Sequence, residues 1–278
     1  MKIFEKLSHI DRRFIYILIA IVVIVPLLLK PKLPIVPTKP VKDIYDYVEN
    51  LPQGSNILIS IDYDAASMPE QQPFLEALLR QCFRNKLKPI MIVQWQLGAP
   101  LGTTGLEKIA KECNAQYGVD YINLGYRPGY VAQMVGIGRE IRDYFAVDYK
   151  NVSIDSFPIM RNIHNYNDFA LLVGLEAGAT YLLWVEYAGG RFKQKIALAL
   201  NAVSAPDAYY FYQSKQIIGL VGGMKGAAEY EVLENKPDLA VAGMASQSYS
   251  HILIILFIVL GNITYFVEKS RKKKEGGR

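Results

Sequence analysis

Two long apolar segments, one near each end of the chain, constrain the fold more than any other feature of this sequence. Residues 14–29 carry no charged side chain, and residues 252–267 are nearly as apolar. Sixteen helical residues span about 24 Å, close to the hydrocarbon core of a bilayer once flanking residues are added. The second helix reaches about 22 residues if it begins at residue 246. We therefore predict transmembrane helices over residues 14–30 and 246–267.

A cleaved signal peptide and a buried core helix are the alternatives for the first segment. No small-x-small cleavage site follows it, since the next residues are Lys30-Pro-Lys-Leu-Pro34. A core helix of a soluble protein would show a polar face, which this segment lacks. Both observations favour a membrane-spanning helix.

The distribution of charge predicts the orientation. Residues 1–30 carry five Lys or Arg and two acidic residues, and residues 250–278 carry six and two. The part between them has twenty basic and twenty-two acidic side chains, which argues against nucleic-acid binding. Because basic flanks stay on the cytoplasmic side, we expect residues 1–13 and the basic tail 268–278 in the cytoplasm. The central domain then lies outside it.

Proline recurs every third residue after the first apolar segment, at Pro31, Pro34, Pro37 and Pro40. This period matches the three-residue turn of a polyproline II helix. We predict a polyproline-like stalk over residues 31–41, a semi-rigid spacer of about 30 Å. A docking strip for an aromatic-lined groove is the alternative.

Strand and helix patterns alternate between residues 42 and 240. Repeated βα units indicate parallel strands, right-handed crossovers and helices on both faces of the sheet. We therefore predict a single Rossmann-like, mainly parallel, three-layer α/β domain held between an N-terminal and a C-terminal transmembrane helix. The predicted strands cover residues 56–61, 88–95, 121–124, 169–173, 196–202 and 216–221, and the helices cover 69–85, 105–117, 130–145 and 225–233.

Cys82 and Cys113 fall on the apolar stripes of the first two predicted helices. A disulfide would need their Cα atoms about 5.5 Å apart, which helices flanking a sheet rarely allow. We therefore expect two buried free thiols.

Asp62 and Asp64 follow the first predicted strand. Ligands of parallel sheets lie beyond the carboxyl ends of the strands, and two carboxylates there could hold a divalent cation together with water. The alternative is a strand exit in which Asp64 or Ser67 caps the next helix.

Two further loops at predicted strand ends contain candidate ligand-binding residues. Ser204 and Asp207 follow the fifth strand, where they could meet a ligand or start a helix. Gly222, Gly223 and Lys225 join the last strand to the last helix, and backbone N–H groups beside a lysine favour an anion. Close packing of the helix on the sheet is the alternative for the two glycines.

Residue types for metal or triad chemistry are scarce. His164 is the one histidine of the central domain, so the sequence does not supply a zinc site or a nucleophile–histidine pair. We expect no cofactor and no assembled catalytic set.

These observations favour a non-catalytic, doubly anchored subunit or scaffold of a membrane protein complex. Its expected partners are the lipid bilayer, other membrane proteins or a second copy of the chain. Two alternatives remain open. One is a membrane-tethered, metal-dependent hydrolase that uses Asp62 and Asp64, and the other is an extracytoplasmic sensor of a small anion bound near Gly222 and Lys225.

Overall fold

The computed structural model describes residues 11–31 and 34–275, with the backbone alone for residues 268 and 271–275. The chain divides into two compact units. One contains the terminal segments, residues 1–33 and 241–278, and the other comprises residues 34–240.

The terminal unit is built from two apolar helices, α1 (Arg12–Leu29) and α9 (Leu239–Glu275). By length and composition, both are able to cross a membrane, with mean hydropathies over 18 residues of 2.4 within Arg12–Leu29 and 2.1 within Leu239–Val267. The second helix begins before residue 246, because the alanine-rich residues 240–245 favour a helix.

A proline in α1 and a serine in α9 meet within this unit. Pro26 has no N–H, so a carbonyl one turn earlier loses its helical partner. The hydroxyl of Ser246 donates to the carbonyl of Val23 at 2.8 Å. A side chain of one helix therefore hydrogen-bonds the backbone of the other near the proline.

The larger unit contains six parallel strands in the order β3-β2-β1-β4-β5-β6. All six predicted strands are present, with ends shifted by up to three residues. The strands are β1 (Asn56–Asp62), β2 (Lys88–Val93), β3 (Ile122–Tyr126), β4 (Leu171–Glu176), β5 (Ile196–Leu200) and β6 (Gly219–Gly222).

Helices connect the strands. They are α2 (Lys39–Glu49), α3 (Met68–Arg84), α4 (Ala99–Glu112), α5 (Tyr130–Ile137), the single turn α6 (Tyr181–Leu183), α7 (Ala205–Gln213) and α8 (Gly223–Leu233). The turn α6 continues as a π-helical segment, Trp184–Arg191. Such segments are rare and occur often at functional sites.

Both faces of the sheet are covered, which confirms the predicted α/β architecture. Along β1, Leu58 packs in a cluster with Met134 and Ile137 of α5. Ile61, three residues later in β1, points to the opposite face, where Gly102 of α4 approaches it. Strands buried on both sides explain the continuous apolar runs in the sequence.

Helix α2 replaces the end of the predicted stalk. Pro40 occupies its first turn, where the fixed φ of proline suits a helix, and Val41, Ile44 and Val48 are buried on one face. The extended backbone is therefore limited to the residues before Lys39, of which Lys32 and Leu33 lie outside the described residues.

Two predicted helices have different bounds. The predicted helix 130–145 stops at Ile137, just before Gly138, and irregular chain with short 3₁₀ turns follows. The predicted helix 105–117 runs instead from Ala99 to Glu112, so Cys113 is its exposed C-cap. The prediction of a buried Cys113 was wrong, whereas Cys82 is buried and both thiols are free.

Candidate ligand site where the strand order reverses

The order of the sheet reverses between β1 and β4. From β1 the chain proceeds to β2 and β3 on one side, and from β4 to β5 and β6 on the other. In open parallel sheets such a reversal leaves a crevice at the carboxyl ends of the two central strands. The residues that end β1 and β4 are therefore the first place to look for a site.

Those two strands end in a pair of buried carboxylates. Asp62 is the last residue of β1 and Glu176 the last of β4, and they are register partners across the sheet. Both side chains are 0 % exposed. Two acidic groups thus lie side by side at the reversal, out of contact with water.

A glutamine extends this row to a third strand. The backbone N–H of Gln94 donates to the carbonyl of Ile61 at 3.0 Å, continuing the ladder between β1 and β2. Since Ile61 pairs with Val93, the next rung places Gln94 beside Asp62. Gln94, Asp62 and Glu176 therefore lie in one row at the carboxyl edge.

Gly174 provides the space for the Glu176 side chain. A Cβ atom at Gly174 would lie 2.9 Å from Oε1 of Glu176. Gly174 is the register partner of Ser60, which faces the same side as Asp62. The Glu176 carboxylate therefore folds back along its own strand, toward Ser60.

Helix α5 and the π-helical segment contribute to this region. The pKa of the Tyr130 hydroxyl is raised first by burial and then by the charge of Asp62, with smaller effects of Tyr126 and Glu176. Gln133 follows three residues later, on the same face of α5, and is fully buried. Trp184, the first residue of the π-helical segment, is close enough to Glu176 to influence its pKa.

Buried polar atoms without a hydrogen-bond partner are concentrated here. Within the described part of the chain, six residues of this region leave ten such atoms, and we call these six residues the switch-point cluster. The atoms are Oγ of Ser60, both carboxylate oxygens of Asp62 and of Glu176, both amide atoms of Gln94 and of Gln133, and Nε1 of Trp184. Each costs about 1–3 kcal/mol if nothing satisfies it.

The electrostatics of the pair follow from burial. The pKa of Glu176 is raised well above its usual value, first by burial and next by the neighbouring Asp62 charge. Trp184 and Thr180 offset part of this effect. Two adjacent buried carboxylates cannot both stay charged without compensation, so the pair retains a proton or binds a positive charge.

Asp64 is not part of the cluster. Its Oδ1 accepts from the backbone N–H groups of Ala66 at 3.0 Å and Ser67 at 3.4 Å. These bonds form the turn between β1 and α3. The structure therefore separates the two predicted carboxylates into a buried one and a turn residue.

Ser204 and Asp207 lie at the start of α7. The side chain of Ser204 makes no capping bond, and its backbone N–H donates to Oδ1 of Asn201 at 3.0 Å. Asp207 is exposed in the first turn. The structure brings this loop next to Gly222, where an added Cβ would lie 3.0 Å from that of Ala205.

The Gly222–Lys225 turn faces acidic groups. Gly223 has a positive φ of 58°, and an added Cβ there would lie 3.0 Å from Oε2 of Glu70. The ammonium of Lys225 forms an ion pair with Glu229. With its lysine neutralised and a carboxylate nearby, this turn is poorly suited to an anion.

His164 is also paired away from the cluster, with Nδ1 at 3.1 Å from Oε2 of Glu140 on the surface. No group of three or more His, Cys, Asp or Glu side chains among the described residues is arranged to hold a metal ion. Any metal in the cluster would need amide or hydroxyl oxygens in addition to its two carboxylates.

Comparison of the chain with models of protein families, with curated proteins and with solved structures found no match.

Sequence reasoning found Asp62 but missed its partners. Glu176 stands at the end of an apolar run interrupted by Gly174, so the predicted strand stopped at Val173, before the acid. A general signal was present, because Glu176 ends an apolar strand with a polar residue, as Asp62 does, and Gln94 directly follows one.

Proposed function

We propose that this chain is a two-span membrane protein whose extracytoplasmic, Rossmann-like domain binds a small cation at the switch-point cluster. The ten buried polar atoms of this cluster, none with a hydrogen-bond partner among the described residues, carry this proposal. Folded proteins pair the great majority of such groups. A cluster of them at the reversal of a parallel sheet is best explained by a ligand that completes their interactions.

The strand order supports the Rossmann-like description. The order β3-β2-β1-β4-β5-β6 is that of the doubly wound dinucleotide-binding sheets. A dinucleotide itself is disfavoured here, because two buried carboxylates would repel its phosphates. The fold supplies the position of the site, and the side chains supply its preference for positive charge.

The charge of the flanks supports the orientation. Six basic residues follow the second candidate span closely, in residues 269–278. Basic residues of this kind are retained on the cytoplasmic side of a membrane. Two spans then return both termini to that side and leave residues 34–240 on the other.

The preference for a cation follows from the composition of the cluster. It contains two carboxylates side by side, and no basic side chain of the described residues hydrogen-bonds to either of them. Burial of unpaired negative charge is costly by several kcal/mol per ion. A bound cation removes that cost, so binding and folding are coupled.

Binding is favoured over catalysis because both carboxylates are fully buried, out of reach of a substrate in solution. The test is thermal unfolding of the full-length protein in detergent with a panel of metal ions and ammonium compounds. We expect at least one to raise the midpoint in the wild type but not in Asp62→Asn. Asp64→Asn keeps the turn and is the matched control.

The proposal would be contradicted if the cation-induced rise of the unfolding midpoint were lost in both Asp62→Asn and Asp64→Asn, or in neither of them. In the first case the effect would belong to the turn at Asp64 or to general destabilisation. In the second case the cation would bind elsewhere on the protein.

A second candidate function is that of a subunit in a membrane protein complex. It is favoured by an apolar rim, defined as the large apolar side chains exposed in the segments that follow the strands. Val203 is 86 % and Leu97 63 % exposed, far more than expected of core residues. The rim consists of Met68, Trp95, Leu97, Tyr130, Leu182 and Val203.

Gentle detergent extraction followed by native mass determination tests this second function. We expect an assembly larger than one chain, and we expect Val203→Glu to dissociate this assembly. Val152→Glu, at an exposed valine outside the rim, is the matched control. A single-chain mass for the wild type would contradict a role as a subunit.

A further inference from the structure

We infer that the cation is a calcium-type ion, held by protein oxygens at the switch-point cluster with little or no water. This inference rests on the proposed function and specifies its ligand. The arguments concern the donor atoms, the burial of the cluster and the space beside Gly174.

The donor atoms that the cluster can offer to a cation are all oxygens. Asp62 and Glu176 supply carboxylates, Gln94 and Gln133 supply amide carbonyls, and Ser60 supplies a hydroxyl. None of these oxygens has another hydrogen-bond partner within the described part of the chain. Carboxylate and carbonyl oxygens are the ligands of calcium, magnesium and manganese, whereas zinc and copper prefer nitrogen or sulfur.

Burial distinguishes calcium from magnesium. Calcium accepts six to eight oxygens in flexible geometry, and these can all come from protein. Magnesium keeps several waters and needs near-octahedral coordination. Since Ser60, Asp62, Gln133 and Glu176 are 0 % exposed and Gln94 is 2 % exposed, the cluster presents no open face to a hydrated ion.

Space distinguishes a metal ion from an organic ammonium compound. The absent Cβ of Gly174 makes room for the Glu176 carboxylate, and Leu198 closes the same space, at 3.3 Å from that Cβ position. The indole of Trp184 is fully buried beside it. These atoms fill the space beside Gly174 and leave no room there for an organic cation of several atoms.

The experiment uses the full-length protein in detergent, stripped with EDTA and titrated with CaCl₂ or MgCl₂ up to about 10 mM. We expect calcium to raise the unfolding midpoint by about 5–10 °C at saturation and magnesium by much less. Asp62→Asn and Glu176→Gln should abolish the calcium shift. Asp64→Asn should retain it.

A direct measurement accompanies the titration. Terbium occupies calcium sites and emits when a nearby indole is excited. We expect terbium emission from the wild-type protein, and we expect added calcium to displace terbium and reduce this emission. In Glu176→Gln, the affinity for terbium should fall at least tenfold. Gly174→Ala keeps both carboxylates but displaces one of them, so it should weaken binding without removing it. Its folding is checked by the same unfolding curve.

The outcomes separate this inference from the proposed function. If magnesium raises the unfolding midpoint more than calcium does, and this effect depends on Asp62, the assignment to calcium is overturned and a cation site remains. If tetramethylammonium or spermidine raises the unfolding midpoint in an Asp62-dependent way and no metal ion does, the assignment to a metal ion is overturned and a cation site again remains. If no cation acts, and Glu176→Gln alone stabilises the protein, the pair is a proton-sharing structural feature and both proposals fall.

Discussion

Glu176, at the end of β4, and Glu229, on helix α8, are both buried glutamates, and their surroundings are opposite. Glu229 on α8 is 1 % exposed and fully engaged. It accepts from the backbone N–H and the hydroxyl of Thr38, at 2.9 and 2.6 Å, and pairs with Lys225. Glu176 is 0 % exposed, and neither of its carboxylate oxygens has a hydrogen-bond partner within the part of the chain that the structure describes.

The glutamines show the same contrast. Gln81 on α3 donates to the carbonyl of Tyr45 at 3.0 Å and to Glu49 at 2.9 Å, and accepts from Tyr230. Gln94 and Gln133 leave both amide atoms without partners among the described residues. At Glu229 and Gln81 the fold thus supplies partners for buried polar side chains. The switch-point cluster differs from both, which is why we assign it to a ligand.

The largest expected effect is the loss of Glu229. Glu229→Ala leaves the Thr38 N–H and hydroxyl without their acceptor and removes the ion pair with Lys225. We expect the free energy of unfolding to fall by about 3 kcal/mol, measured by denaturant titration of the full-length protein. An effect below about 0.5 kcal/mol would show that a fully partnered buried carboxylate is dispensable here.

The second prediction compares two glutamines. Gln81→Leu removes three hydrogen bonds and should cost about 2 kcal/mol. Gln133→Leu removes none and replaces an amide without partners, so in EDTA it should be neutral or stabilising by up to about 1 kcal/mol. Denaturant titration of both variants tests the contrast, and equal losses would contradict it.

The third prediction concerns pH. Because the pKa of Glu176 is raised above 4.5, the folded protein holds a proton that the unfolded chain releases. This contribution is complete below pH 4.5 and declines as pH rises toward the folded pKa, by up to about 1.4 kcal/mol per unit. In EDTA, the unfolding midpoint of the wild type should therefore fall as pH rises above 4.5, and that of Glu176→Gln should fall less. Identical pH profiles of the two proteins would contradict this prediction.

The fourth prediction concerns Glu49, whose effect on the pH dependence of stability is opposite in sign to that of Glu176. Hydrogen bonds from Arg84, and then from Gln81 and Asn85, outweigh burial and lower its pKa to about 2. Its contribution is therefore present above pH 4.5 and is lost as pH falls toward 2. Glu49→Gln should flatten the acid side of the profile and leave the side above pH 4.5 unchanged.

The smallest expected effect is that of a methyl group. Gly174→Ala places a Cβ 2.9 Å from the Glu176 carboxylate, which must move. We expect a loss of about 1 kcal/mol. Gly178→Ala, where an added Cβ meets nothing within 4 Å, should be neutral or stabilising by about 0.5 kcal/mol. Thermal unfolding checks the pair, and an equal response of the two variants would remove the packing argument for Gly174.

The sheet was predictable because its signals are local. Apolar runs such as residues 56–61 and 88–93 are long enough to identify buried strands, and their alternation with helices implies parallel pairing. Helix α2 was missed because the proline period dominated its start. Its own signal was available in Val41, Ile44 and Val48, which recur with the spacing of a helix.

The candidate site was only partly predictable because its residues are far apart in sequence. Asp62 follows a strand and was found for that reason. Its neighbour Glu176 is identified only by the β1–β4 register, which a single sequence does not give. To predict Gln133 as a member of the cluster, one must know which face of α5 packs inward. That orientation depends on the irregular chain after Ile137.

The most direct test of the account is the stability of two isosteric variants with and without calcium. Glu229→Gln should destabilise the full-length protein in EDTA and in CaCl₂ alike. Glu176→Gln should stabilise it in EDTA, where the pair is uncompensated, and make it less stable than the wild type in CaCl₂. This reversal of sign is the predicted result. If Glu176→Gln has the same sign in both conditions, the cluster is not a calcium site.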